Sequence, residues 1–81
     1  MTVRVRFFAS LRERLRQSEL VWEVPDGATV ADLWRSLCTV YDSLAIMSAA
    51  VSFAVNQEYV EGDQRLSEGD EVACIPPVSG G

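Results

Sequence analysis

The chain has 81 residues, of which 48% are apolar, and its formal net charge is −5 at pH 7. This length fits one domain with a small core, and the lack of any apolar run near about 18 residues argues against a membrane span. The negative charge argues against nucleic-acid binding, which needs a basic patch, and fits either a basic protein partner or plain solubility.

Several residue types are missing or sparse. Histidine is absent, and with it the commonest general base and metal ligand. Cys38 and Cys74 lie far apart and form no CxxC motif, so no zinc or redox site is indicated. We expect both thiols to be reduced and packed in the core of a cytoplasmic protein. Lysine is also absent. The alternating residues from Met1 to Arg6 predict a strand rather than a signal peptide.

Alternation of apolar and polar residues predicts two strands at the start of the chain, over residues 2–9 and 19–24. A short helix over 11–17, capped by Ser10, is predicted between them, and residues 25–27 form a turn. The two strands are expected to pair as neighbours. Within the first strand, one side carries Val3, Val5 and Phe7, and the other carries Arg4, Arg6 and Phe8.

The main helix is predicted to begin at Thr29. The hydroxyl of Thr29 can cap a backbone N–H three residues on, and Asp32 adds negative charge to the first turn. A weaker pattern over residues 44–50 indicates another helical turn. The apolar stripe of the main helix consists of Val30, Leu33, Trp34, Leu37, Cys38 and Tyr41.

Three further strands are predicted over residues 51–55, 58–60 and 71–75, separated by turns. The order of elements indicates an α+β fold, in which one mixed sheet carries the main helix on one face. Two strand periods and one helical period converge on one apolar set, which we expect to form the core. Its predicted members are Val3, Val5, Trp22, Val24, Leu33, Leu37, Val55, Val72 and Cys74.

The sequence finishes with Pro76-Pro77-Val78-Ser79-Gly80-Gly81. The prolines cannot donate to a sheet ladder, so we expect them to stop the last strand and direct the chain away from the body. We therefore predict a domain over residues 1–76 and a tail over 77–81, whose reach is roughly 17 Å. Glycine makes the tail thin, as threading into a partner's channel requires, although a frayed terminus is the common alternative.

Four segments carry a resemblance to a known family: residues 5–9, 54–57, 68–73 and 76–81. Over essentially its whole length the chain resembles the small, sulfur-carrier subunit of molybdopterin synthase, a ubiquitin-like β-grasp protein. The closing block is the most specific part, because its spacing to Gly-Gly is rigid. The chain departs from the family at Cys74-Ile75, where aromatic residues are often found.

The resemblance implies a chemical role for the tail of Val78, Ser79, Gly80 and Gly81. A ubiquitin-activating-like adenylyltransferase would use ATP to adenylate the Gly81 carboxylate, and sulfur would then replace AMP as a thiocarboxylate. The tail would next enter the large synthase subunit, where sulfur passes to cyclic pyranopterin monophosphate. This chain would bind no cofactor or metal itself and would supply no catalytic side chain.

Phe8, Tyr59 and Ile75 fall at outward strand positions or strand ends, although each is large and apolar. If they meet on one face, they form an exposed patch of the kind that marks interfaces, and the resemblance assigns that interface to the large subunit. Scattered single exposure is the alternative. Glu68, Asp70 and Glu71 could steer a basic partner, or they could form a merely solvated acidic turn.

Three other functions fit parts of the same pattern. A sulfur carrier of thiamine biosynthesis has the same fold and tail chemistry, but such carriers are usually shorter and usually lack Pro-Pro-Val. A ubiquitin-like modifier, or a carrier for tRNA thiolation, would also use a terminal glycine. A structural β-grasp interaction module would leave the closing Gly-Gly unexplained.

Overall fold

The computed structural model describes residues 1–46 and 50–77, and the structural statements below concern those residues. Within them, no helix is long and apolar enough to cross a bilayer. The elements in chain order are β1 (Thr2–Phe7), α1 (Ala9–Leu15), β2 (Glu19–Glu23), α2 (Val30–Val40), α3 (Asp42–Ala45), β3 (Ser52–Val55), β4 (Glu58–Val60) and β5 (Glu71–Ile75).

The described strands form one mixed sheet in the order β2-β1-β5-β3-β4. β1 and β5 run parallel at its centre, with Val5 opposite Val72, and the other neighbouring pairs are antiparallel. A parallel pair needs a long connection, and here the intervening chain supplies the helices and the remaining strands. The predicted α+β class is confirmed, and this arrangement is the ubiquitin-like β-grasp.

The core lies between α2 and the face of the sheet that carries the inward strand residues. Leu37 is completely buried there, and the Trp34 ring packs edge-on against Phe53 with centroids 5.4 Å apart. Burying one such side chain stabilises the fold by about 1.5–3 kcal/mol. The buried cluster consists of Val3, Val5, Phe7, Leu11, Val24, Ala28, Val30, Leu33, Trp34, Leu37, Leu44, Val55, Leu66, Val72 and Cys74.

The start of α2 carries a reciprocal cap. The backbone N–H of Asp32 donates to the Thr29 hydroxyl at 3.2 Å, and the Thr29 backbone N–H donates to Asp32 Oδ2 at 3.0 Å. Two donors that the first helical turn leaves unpaired are satisfied in this way. The bonds from Thr29 hold the pKa of the Asp32 carboxyl below its ordinary value. The predicted role of Thr29 is confirmed.

The prediction for the first helix was wrong at both ends. Helix α1 begins at Ala9 rather than Leu11, and its N-cap is Phe8, with no side-chain cap. The Phe8 backbone is extended and its carbonyl accepts from the Leu11 N–H at 3.1 Å, so the turn into the helix forms directly after β1. At the other end Arg16 adopts a left-handed conformation at φ 57° and ends the helix before Gln17.

Two other predictions need correction. The short helix expected over residues 44–50 instead occupies Asp42–Ala45, where Leu44 is fully buried, and residues 47–49 lie outside the described part. Trp22 packs against the core but is only half-buried. It lies on the edge strand β2, and its indole N–H reaches the Ser36 hydroxyl at 3.0 Å, which keeps the ring at the border of the core.

Candidate functional site

The site is built around the end of β5, from which the tail departs. β5 is a central strand and runs parallel to β1, so the tail leaves from the same end of the sheet at which α1 begins. Pro76 is buried and Pro77 is exposed, which places the change from body to surface between the two prolines. The predicted tail residues Val78, Ser79, Gly80 and Gly81 lie outside the described residues.

An open groove of about 460 Å³ lies beside the point of departure. One wall comes from the first turn of α1, and the other comes from the end of β5 and the two prolines. Most of its lining is apolar, and its polar side chains are one hydroxyl and one carboxylate. The lining residues are Phe8, Ala9, Ser10, Glu13, Ile75, Pro76 and Pro77. The groove offers a docking surface rather than a set of acid–base groups.

Phe8 is held in the groove from two sides. Its backbone N–H donates to the Cys74 carbonyl at 3.3 Å, which extends the β1–β5 pairing by one position. The Arg6 guanidinium lies 5.2 Å from the centroid of its ring, within the range of a cation–π interaction. The strand alternation predicted that Arg6 and Phe8 share a side, but it gave no sign that they stack.

The outer face of the sheet carries Phe8, Tyr59 and Ile75, but the three side chains do not form one patch. Ile75 on β5 pairs with Ser52 on β3. Tyr59 pairs with Ala54 of β3 and itself lies on the edge strand β4, two strands away from β5. Of these three residues, Phe8 and Ile75 line the groove at the end of β5 and Tyr59 does not. Tyr59 is 74% exposed, and together with nearby acidic side chains it lines a separate groove of about 730 Å³. The predicted set therefore consists of one adjacent pair and one outlying aromatic residue.

A tight hairpin positions Tyr59. Val55 pairs with Glu58, and the two residues between them, Asn56 and Gln57, have φ values of 50° and 73°. Two successive left-handed residues are typical of a type I′ turn, whose twist matches that of paired strands. The side-chain amide of Asn56 also donates to Asp70 Oδ1 at 3.0 Å, which ties the turn to the loop before β5.

Ion pairs connect charged side chains on the outer face of the sheet, between the groove and the edge strand β2. Glu71 forms ion pairs with both arginines of β1, with N–O distances of 3.5 Å to Arg4 and 3.8 Å to Arg6, and Arg4 also lies 3.6 Å from Glu19. Exposed ion pairs of this kind contribute about 0–1 kcal/mol each. The Arg6 guanidinium thus lies near the Glu71 carboxylate as well as over the Phe8 ring. Sequence reasoning missed this network because it depends on the parallel register of β1 and β5.

The carboxylates of the acidic turn before β5 accept hydrogen bonds from the backbone. Asp70 Oδ2 accepts from the Ser67 backbone N–H at 2.7 Å, and Glu68 Oε1 accepts from the Thr2 backbone N–H at 3.0 Å. Glu71 forms the ion pairs described above. These carboxylates therefore shape the turn and its junction with β1, which favours a structural role over long-range steering of a partner.

Comparison with known proteins places this geometry in a family. The ThiS family model matches residues 5–81. The chain belongs to the ThiS family. It is 40% identical to the molybdopterin synthase sulfur carrier subunit of Chlamydomonas reinhardtii, with each chain covered completely. It is 41% identical to small archaeal modifier protein 3 of Haloferax volcanii, again with complete coverage of both. The predicted family resemblance is confirmed.

Solved structures agree with the fold. The putative molybdopterin converting factor subunit 1 of Pyrococcus furiosus superposes with a TM-score of 0.86 at 32% identity, covering 96% of this chain and 99% of the other. A chain from the complex of subunits 1 and 2 of the Helicobacter pylori molybdopterin-converting factor gives a TM-score of 0.73 at 23% identity, with complete coverage of both. The second likeness is evidence for the fold alone.

Proposed function

We propose that this chain is the sulfur-carrier subunit of molybdopterin synthase and carries sulfur as a thiocarboxylate on Gly81. The observation that carries the proposal is the family match, which extends through Gly81 and is accompanied by whole-length similarity to a protein of that name. The acceptor is cyclic pyranopterin monophosphate, and two sulfur transfers build the dithiolene that holds molybdenum.

The chemistry begins with a carboxylate, which is a poor electrophile. A Gly81 oxygen attacks the α-phosphorus of ATP on a ubiquitin-activating-like adenylyltransferase, and pyrophosphate leaves. A hydrosulfide ion then attacks the acyl carbon, a C–S bond forms, the C–O bond to AMP breaks, and loss of the S–H proton leaves the thiocarboxylate. Neither described cysteine is in a disulfide, which fits a reducing cytoplasm for these steps.

The large subunit of the synthase is the proposed partner at the groove. Phe8 and Ile75 line it beside Pro76 and Pro77, so a protein docked there would also receive the tail that follows. Exposed apolar surface of this kind is typical of interfaces. Tyr59 lies on the same outer face but in the separate groove, so we assign it a second, outlying contact. A solved neighbour of the same fold comes from a complex of two molybdopterin-converting-factor subunits.

A second candidate function has one observation in its favour. The Haloferax volcanii relative, 41% identical over its full length, is named a small archaeal modifier protein. A modifier would use the same adenylated glycine but join it to a lysine amine of another protein. The two functions share activation and differ in the nucleophile that accepts the acyl group.

Intact mass distinguishes these functions. The purified chain is incubated with ATP, its activating enzyme and a sulfur source, alone and with the large subunit and cyclic pyranopterin monophosphate. We expect a gain equal to the replacement of one oxygen by sulfur on Gly81, and its loss as dithiolene forms. Full dithiolene synthesis by a chain lacking Gly81 would contradict the carrier function. A gain equal to an attached protein would favour the modifier.

A further inference from the structure

The chain contains no lysine, and all seven of its basic residues are arginine. Arginine stays charged in proteins, whereas a lysine amine can act as a nucleophile. At three of the seven positions, folding does not account for the choice of arginine over lysine. Arg35 forms an exposed pair with Asp32 at 3.1 Å, and Arg12 and Arg14 lie exposed on α1. Lysine forms such pairs and favours helices about equally well.

The α-amino group of Met1 is engaged in two contacts. It donates to the Val24 carbonyl at 2.7 Å and lies 3.5 Å from Asp26 Oδ1. The Met1 side chain is only 7% exposed, so the residue is anchored as well. If Met1 is removed, the α-amine moves to Thr2, whose nitrogen is also engaged because it already donates to Glu68 Oε1 at 3.0 Å. In either form, attack on an electrophile requires these contacts to break.

Topology separates this amine from the tail. Because β1 and β5 are parallel, Phe7 stands opposite Cys74 near the tail, and Met1 lies at the other end of β1. The six residues of β1 span about 20 Å, and the six residues after Ile75 reach at most about 20 Å. The tail would have to run straight back along the sheet to meet the amine of its own chain.

The thiols are shielded as well. Cys74 is completely buried, and burial raises the pKa of its thiol to about 12. Cys38 is half-buried on α2 and packs against the core. Since the thiolate is the nucleophilic form of cysteine, the raised pKa of Cys74 makes that thiol a poor nucleophile at neutral pH. For Cys38, packing against the core limits access to the sulfur.

We propose that this chain withholds amine and thiol nucleophiles from its surface so that its activated C-terminus is not captured by another copy of the chain. The inference rests on the proposed function, in which Gly81 is adenylated. In the side reaction, an amine nitrogen would attack the acyl carbon, a C–N bond would form, the C–O bond to AMP would break, and the amine would lose a proton. With no presented amine, the acyl group is kept for a nucleophile supplied by a partner protein.

The test uses the full-length chain prepared as a C-terminal 2-mercaptoethanesulfonate thioester by intein cleavage. This form needs no activating enzyme and reports acyl reactivity alone. The concentrated protein is held at mildly alkaline pH, treated with hydroxylamine to cleave thioesters but not amides, and analysed by intact mass. We expect hydrolysis without amide-linked dimer for the parent chain and for Arg14→Gln. We expect an amide-linked dimer for Arg14→Lys, which adds one exposed amine at unchanged charge.

A second arm tests the engaged α-amine. A Gly-Ser extension before Met1 moves the amine away from Val24 and Asp26, and we expect it to yield a dimer linked through the extension. Equal dimer formation by the parent and Arg14→Lys would overturn the proposal, as would the absence of dimer from both Arg14→Lys and the extended chain. Dimer from Arg14→Lys alone would overturn the part assigned to the Met1 contacts. The assay includes no sulfur transfer, so its failure is distinct from failure of the carrier function.

Discussion

The backbone N–H of Phe8 donates to the carbonyl oxygen of Cys74 at 3.3 Å, which joins the start of α1 to the end of β5. Cys74 directly precedes Ile75, and Ile75 faces the same groove as Phe8. The apolar groove and the root of the tail are therefore parts of one hydrogen-bonded unit. A partner that binds the groove would also determine the direction in which the tail leaves.

Ile75→Asp is expected to weaken binding to the large subunit. It removes an apolar contact and places a second carboxylate in the groove that already contains Glu13. Truncation of a hot-spot residue in an interface costs about 2 kcal/mol or more. Val40→Asp is the matched control, because Val40 is 59% exposed on α2 and lies outside the groove. Calorimetric titration measures the affinities, and circular dichroism verifies folding. Equal affinities for the two folded variants would contradict the assignment of the groove.

Leu37→Ala is expected to lower the free energy of unfolding by about 2–5 kcal/mol, the usual cost of truncating a buried leucine. Leu37 is completely buried on α2, whereas Val40 on the same helix is largely exposed. Val40→Ala should change stability by no more than about 0.5 kcal/mol, as is usual for surface substitutions. Urea denaturation gives both values. Similar losses for the two variants would show that the helix face is wrongly assigned.

The sequence was most informative for the central strands, where one face of each strand is buried. Val3, Val5, Val72 and Cys74 alternate with polar or small residues, and this period located the central strands and most of the core. It could not locate the start of α1, because Phe8 caps the helix with backbone alone and no side-chain signal marks it. Trp22 was placed too deep, because alternation does not reveal that β2 is an edge strand.

The candidate site was only partly predictable. Phe8, Tyr59 and Ile75 could be selected as outward apolar residues, but their separation depends on strand order, which periodicity does not contain. The same holds for the contacts of Arg6 with Phe8 and Glu71, which require the parallel register of β1 and β5. Composition revealed that lysine is absent, but the structure was needed to find the contacts of the Met1 amine.

Asp32 should contribute to the pH dependence of stability. Bonds from Thr29 lower the pKa of its carboxyl in the folded state, so the unfolded chain binds the proton more tightly. The contribution is present above the ordinary value of about 3.9 and is lost as pH falls through the folded pKa. The stability difference between the parent and Asp32→Asn should therefore shrink at acid pH. Urea denaturation at neutral and acid pH measures this, with Asp42→Asn as a control. A constant difference would contradict the capping role.

Gln57→Gly should stabilise the hairpin between β3 and β4. Gln57 is exposed and has φ 73°, a region that costs a residue with a Cβ about 1–2 kcal/mol and glycine almost nothing. Glycine also has more conformational entropy in the unfolded chain, and this offsets part of the gain. We therefore expect the free energy of unfolding to rise by roughly 0.5–1 kcal/mol. Gln57→Ala is the control, since it removes the same side chain but keeps the Cβ. An equal effect of both substitutions on the melting temperature would rule out the backbone explanation.

Gly80→Val tests the tail, which lies outside the described residues and is argued from the sequence. Valine adds a branched side chain and restricts φ, which matters for a tail that must enter a narrow channel and matters little for a free end. We expect an unchanged melting temperature and a much slower mass gain from thiocarboxylate formation. Val40→Ala, a change on the exposed side of α2 and away from the tail, should keep the parent rate. If Gly80→Val gains sulfur as fast as Val40→Ala, the activating enzyme does not require a thin tail, and the channel argument for the closing glycines fails.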